Sequence, residues 1–298
     1  MNNKNNNDEY NNKINYKYKQ DPNNLKFLLD ITYTNEPWGI NDIFEVFISY
    51  KDNKEYITSK NKNCNLDIFT LLDNKKIKKI KTLNGHKYKI TTVRYFINNK
   101  DYNEYLISSD YNKIVIIWDI TNNYNIKYQI NTQYEDAIFS CLLVFPHNNN
   151  DNYIITSTRS NSDYNEKSAT KIYSLNNINF FRYINNINNI VICYLLSWYY
   201  KKDNKYYIIQ LAYKKIIINN LLEDEIYSEL IYEPEDYHNS GFIYKKDNND
   251  YLYSSLFNGY INIWDLYNKN IYKVINTDNC CLYHINQWNN KYIIVANF

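Results

Sequence analysis

Any chemistry in this 298-residue chain would have to come from a few residues, among them four histidines and five cysteines. No two of His86, His147, His238 and His284 have the spacing of a zinc protease helix or a zinc finger. Cys64, Cys141, Cys193, Cys280 and Cys281 contain no Cys-x-x-Cys, so neither a zinc knuckle nor a disulfide framework is spelled out, and a reducing compartment is the simpler reading. Four glycines cannot build a phosphate-cradling loop, and no Gly-x-Ser-x-Gly elbow occurs. No convergent set of carboxylates is visible. The expectation is a protein without catalysis, cofactor or metal.

The elements that would carry binding groups are therefore the next question. Hydrophobic residues make up 44% and aromatic residues 17% of the chain, enough for a large core. The formal net charge is +2, which predicts no strong pull toward nucleic acid or an anionic membrane. The opening MNNKNNNDEYNN has no apolar stretch of signal-peptide type. Runs such as IVICYLLSWYY, from Ile190, are too short to span a bilayer. A soluble, monomeric protein of the cytoplasm is expected, with the nucleus not excluded. Residues 1–12 read as a disordered Asn-rich tail and residues 13–298 as one domain.

After the tail, runs of 5 to 9 residues rich in Ile, Tyr, Phe, Leu and Val alternate with Asn, Asp and Lys turns. No helical periodicity is sustained, which predicts an all-β fold of many short strands. Asn is abundant while Gly and Pro number 4 each. Pairs such as Asn98-Asn99, Asn122-Asn123 and Asn248-Asn249 are expected where turns need positive φ.

The chain also repeats itself. NEYLISSDYNKIVIIWDI, from Asn103, and NDYLYSSLFNGYINIWDL, from Asn249, share one pattern: strand, short turn, strand ending in Trp-Asp. Phe69-Thr70, Tyr173-Ser174 and Asn219-Asn220 stand at the corresponding places of weaker copies. The second residues fall at 70, 119, 174, 220 and 265, in steps of 49, 55, 46 and 45. Four strands per repeat of that length predict propeller blades. In the second unit the strands are expected at 90–97, 104–110, 113–120 and 125–131. The second and third strands are apolar nearly throughout, which suits sheets covered on both faces. The expected architecture is a β-propeller of four-stranded antiparallel blades: five full blades and a sixth, complete or incomplete, built from both termini. LKFLLDIT from Leu25, or even INYKYKQ from Ile14, would join the strands begun at Cys281 and Lys291. A truncated seven-bladed propeller is the alternative.

Gly85-His86 lies 32 residues before Trp118. With the Trp-Asp pairs and the period, this resembles the WD40-repeat β-propeller family over about residues 25–298. The resemblance implies a structural network of Trp indole, Gly-His imidazole, an Asp of the turn between second and third strands, and a Ser or Thr on the second strand. His86, Trp118 and Asp119 match. Asn112 stands at the Asp position and Asp110 at the Ser or Thr position. Trp264 and Asp265 repeat the pair, with Asn258 six residues before Trp264 and no Gly-His ahead. The network is thus expected in altered form in one blade and absent from the rest.

The resemblance also implies partner binding through loops on one face. That face would carry Trp38, Tyr88, Tyr111, Arg159, Tyr164, Tyr237 and Phe257, and Tyr, Trp and Arg dominate binding hot spots. A protein or peptide partner is expected. The alternative is RNA or phospholipid binding by the seven lysines between Lys75 and Lys89. The plainer reading of that run is an outermost strand whose lysines block edge pairing.

Overall fold

The computed structural model describes all of residues 43–298 except 62, 72–76, 99, 133–137, 145–151, 159–169, 177–179, 185–191, 224–225, 232–235, 247, 278–281, 289–291 and 298; of the first 42 residues it describes 14–15, 19–20, 26–27 and 32–33. The chain divides into two units, residues 1–41 and 42–298. In the first, β1 (Ile14–Asn15) pairs with β4 (Thr32–Tyr33) and β2 (Lys19–Gln20) with β3 (Lys26–Phe27).

The second unit is a propeller of five four-stranded antiparallel blades. Blade 1 is β5 (Ile43–Ile48), β6 (Glu55–Lys60), β7 (Leu66–Leu71) and β8 (Ile77–Leu83). Blade 2 is β9 (Ile90–Ile97), β10 (Glu104–Asp110), β11 (Ile114–Asp119) and β12 (Asn125–Asn131). Blade 3 is β13 (Ile138–Val144), β14 (Tyr153–Thr158), β15 (Thr170–Ser174) and β16 (Phe180–Ile184). Blade 4 is β17 (Ile192–Tyr200), β18 (Lys205–Ala212), β19 (Lys215–Asn220) and β20 (Ile226–Ile231). Blade 5 is β21 (His238–Lys246), β22 (Asn249–Leu256), β23 (Tyr260–Asp265) and β24 (Asn270–Asn276). The four strands of each blade are called a to d below. A hairpin of β25 (Leu282–Trp288) and β26 (Tyr292–Asn297) follows.

Burial explains the apolar runs. Every residue of β10 is buried, and β11, β14, β19 and β23 are nearly as closed. The outer strands β12 and β24 are mostly exposed, and β20 is mostly half-buried. The core is a series of layers between neighbouring blades. Leu106, Ile116 and Trp118 face Leu66 and Ile68 of blade 1. Their neighbours Ile107, Val115 and Ile117 face Cys141, Leu143 and Ile154 of blade 3. Alternate side chains of one strand thus enter two different layers, as the two-residue period of a strand dictates.

The repeat is also written in the ladders. The c–d pairing slips by one residue at Phe69, Trp118, Tyr173, Asn219 and Trp264, the same place in all five blades. A second slip recurs at the a–b pairing in every blade and in the terminal hairpin. Such bulges sharpen twist locally, so their repetition gives each sheet the same turn.

Two expectations need correction. The sixth blade built from both termini is not formed by the described strands: β25 and β26 pair with each other, and β1 to β4 pair only among themselves. The run LKFLLDIT expected to close it lies outside the described residues except at 26–27 and 32. Turns are also less Asn-centred than composition suggests. Asn53, Asn123 and Asn204 have positive φ, but so do Lys113, Lys214 and Lys269. Asn98 instead works through its side chain, whose Oδ1 accepts the Lys100 N–H at 3.0 Å.

Candidate functional site

The centre of blade 2 is a relay of hydrogen bonds. The Trp118 indole N–H donates to Ser108 Oγ at 2.8 Å. Ser108 Oγ lies 2.7 Å from His86 Nε2, and His86 Nδ1 lies 2.8 Å from Asp110 Oδ2. Ser108 Oγ accepts the indole proton, so its own proton goes to Nε2, which leaves the imidazole proton on Nδ1 facing Asp110. Asp110 Oδ1 then accepts the backbone N–H groups of Asn112 and Ile114 at 2.9 and 3.0 Å. The relay runs from the core to the b–c turn and holds that turn closed. All four side chains are buried, so each polar atom needs the partner it has.

The residue roles differ from those expected by position. Ser108 supplies the hydroxyl and Asp110 the carboxylate, while Asn112 takes part through its backbone. Asp110 ends β10, so its side chain reaches back over the turn that it caps. Gly85 has its own reason: a Cβ there would lie 2.8 Å from Trp118 Cη2 and 2.9 Å from Ile116 Cδ1.

Blade 5 contains a variant of the relay, contrary to its expected absence. The Trp264 indole N–H donates to Ser254 Oγ at 3.0 Å, and His238 Nδ1 lies 3.1 Å from the same oxygen. The carboxylate comes from Asp236, whose Oδ2 accepts the Asn258 N–H at 2.8 Å. Asn258 and Asn112 occupy the same turn position, so the equivalent turn amide is held by a carboxylate from the end of strand b in blade 2 and from the d–a loop in blade 5. A signal was present: Ser108 and Ser254 each precede their Trp by ten residues. Burial pushes His238 down to about 4, so the ring is neutral near pH 7.

The Asp of each Trp-Asp pair does separate work. Asp119 accepts the backbone and side-chain N–H groups of Asn122 at 3.0 and 2.8 Å. Asp265 accepts from Tyr267 and Asn268 in the same way. Asn220 does so in blade 4, accepting from the Leu222 N–H at 3.0 Å. The pair joins a core anchor to a c–d turn cap.

Of the residues expected on the binding face, Trp38, Arg159 and Tyr164 lie outside the described residues. Tyr88, Tyr111 and Phe257 are exposed. The Tyr111 N–H donates to the Lys89 carbonyl at 3.0 Å, and the Phe257 N–H to the Tyr237 carbonyl at 3.2 Å. These bonds tie the d–a loop to the b–c turn in blades 2 and 5. Tyr237 is half-buried, and its ring lies 4.6 Å from that of Tyr213. Lys89 sits 5.8 Å from the Tyr111 ring centroid. In the lysine run, Lys79 approaches Asp67 of the same blade at 3.7 Å, and Lys81 donates to Asn123 at 3.4 Å.

Sequence reasoning missed a second polar system at the opposite end of the strands. Glu104 accepts from the Tyr95 hydroxyl and the Tyr50 backbone N–H, each at 2.6 Å. Asp250 accepts from the Trp198 indole at 2.8 Å and the Tyr267 hydroxyl at 3.1 Å. Both carboxylates fasten one blade to the blade before it. Their partners are 54 and 52 residues away in chain order for the inter-blade bonds, so no local pattern announces them. Among the described residues no group of three His, Cys, Asp or Glu could hold a metal ion, and no helix is long and apolar enough to cross a membrane.

Comparison with known proteins agrees with the relay. Residues 77–119 match the WD40 family model, described as WD domain, G-beta repeat. The match covers β8 to β11, the outer strand of one blade and the inner three of the next. No curated protein matches the chain. Hydrogen-bond geometry and the family match agree in making β8 to β11 a WD40 repeat.

Proposed function

We propose that this protein is a non-catalytic scaffold that binds a protein or peptide partner through the d–a and b–c loops of one propeller face. WD40 propellers commonly serve as protein-interaction scaffolds. The observation that carries the reading is the exposure of Tyr88, Tyr111 and Phe257 on loops tied together by backbone hydrogen bonds. Rings presented on a fixed backbone lose little entropy on binding. Trp38, Arg159 and Tyr164, expected on the same face from the sequence, lie outside the described residues.

The test is affinity capture from native lysate, comparing the wild-type chain with the triple variant Tyr88→Ala, Tyr111→Ala, Phe257→Ala. The expected result is a nuclease-resistant protein partner lost in the variant. The unfolding free energy should change by only about 0.5 kcal/mol per site, as for exposed positions generally. Equal capture by both proteins would remove this face. Capture lost to nuclease or modest salt would point to the lysines instead.

A further inference from the structure

The a strands of successive blades lie side by side in the order β5, β9, β13, β17, β21 and β25. Between the first five lies a cavity of about 760 Å³. That is the size of a small-molecule site. Its lining comes from the middle and C-terminal parts of these strands, ending at Ile48, Ile97, Tyr199 and Lys245. It therefore opens toward the a–b turns, away from the d–a and b–c loops.

Its polar lining is uneven. Glu45 is buried, and its Oε2 has no hydrogen-bond partner among the described residues. Across from it, Arg94 stacks on Tyr194, with the guanidinium carbon 4.3 Å from the ring centroid. Arg94 Nη1 donates to the Leu195 carbonyl at 2.9 Å. A guanidinium has five N–H donors, so that bond and the stacking fix its plane while leaving others to face a ligand. Lys245 is exposed at the mouth. Phe47, Phe96 and Phe242 give apolar walls.

We propose that this channel binds a small organic carboxylate with an apolar body, its acid group held between the Arg94 guanidinium and the carboxyl group of Glu45. Two cationic side chains against one acid select an anion. The aromatic walls select a body that prefers to leave water. Glu45 suits the task in its protonated form, where its O–H donates to the ligand carboxylate. Burial pushes Glu45 up to about 7, against the opposing pull of Arg94 and the Tyr95 backbone N–H. The other ionisable groups around the pair are Tyr95, Tyr194 and the buried Cys141 thiol, all raised by burial, with Tyr199 and Lys245 farther along the lining. The three groups that burial raises stay protonated near pH 7.

The test is calorimetric titration of the full chain with 4-phenylbutyrate and octanoate. The matching amines, 4-phenylbutylamine and octylamine, serve as charge-reversed probes, and all are run at pH 6 and pH 8.5. The carboxylates should bind and the amines should not. Wild-type affinity should fall at least about tenfold from pH 6 to pH 8.5, as Glu45 loses its proton. Glu45→Gln should bind about equally at both pH values, and Arg94→Gln should not bind at either. Binding of the amines alone, carboxylate binding that does not depend on pH, or no heat from any probe would each overturn the proposal. Should Arg94→Gln fail to fold, the wild-type pH profile and Glu45→Gln still decide it. The outcome is independent of partner capture at the other face.

Discussion

Ser108 is a small residue with a large share of the blade's polar bookkeeping. It accepts from Trp118 and donates to His86, so its loss strands two buried groups at once. Ser108→Ala should cost about 2–4 kcal/mol, since each unsatisfied buried polar group costs about 1–3. Trp118→Phe leaves the Ser108, His86 and Asp110 contacts in place and should cost less, about 1–2 kcal/mol. Trp118→Ala adds a cavity and should cost about 3–5 kcal/mol. Urea unfolding of the three variants gives the order. A Ser108→Ala protein within about 0.5 kcal/mol of wild type would mean that the relay is ornamental. Ser108 could have been read from the sequence, because it recurs as Ser254 at the same distance from Trp. Its position was misassigned because counting residues does not show which side of a turn a side chain reaches.

At the scale of elements, the b–c turns are the telling comparison. Lys113, Lys214 and Gly259 each precede strand c, with φ of 68°, 62° and 89°. Only one of the three is glycine, the residue that tolerates this conformation without strain. A side chain in that region costs about 1–2 kcal/mol, partly offset in glycine by the extra entropy lost on folding. The two equivalent positions should therefore respond with opposite signs. Lys113→Gly should gain about 0.5 kcal/mol, and Gly259→Ala should lose about 1 kcal/mol. Melting midpoints of the two variants are the measurement, and shifts of the same sign would refute the equivalence. The strands themselves were legible. In blade 2 the observed ends differ from the expected ones only at strand c, by one residue on each side. Continuous apolar runs such as KIVIIWDI signal burial on both faces, and that signal is local.

For the whole molecule, two buried groups set opposing responses to pH. Glu45 is raised to about 7 from an ordinary value of 4.5. The folded state holds that proton more tightly than the unfolded chain does. Its contribution is fully present below pH 4.5 and is lost as pH rises to about 7, by about 3 kcal/mol in all. His238 is lowered from 6.5 to about 4. Its contribution is present above pH 6.5 and is lost as pH falls toward 4, by a similar amount. The two nearly cancel between pH 4.5 and 6.5. Glu45→Gln removes only the first, so its stability relative to wild type should climb from pH 4.5 to pH 7 and then stay level. A constant difference across that range, followed by thermal unfolding at several pH values, would contradict the burial of a titrating acid.

The sequence by itself determined the all-β class, the period near 45 residues and the double-sided burial of strands b and c. All of these follow from patterns within one repeat, because strand burial and turn chemistry are set by near neighbours. It also marked residues 82–120 as the clearest repeat. Only the tertiary structure decided the rest. It showed β25 and β26 as a hairpin beside the a strand of blade 5, with no described N-terminal strand pairing to it. It moved the relay's hydroxyl to Ser108 and gave blade 5 a Trp264–Ser254–His238 contact of its own. It also brought Glu45 and Arg94 to one cavity, and Trp198 to Asp250, from different blades. Those pairs are tens of residues apart in the chain, and what joins them is the angle at which successive blades pack.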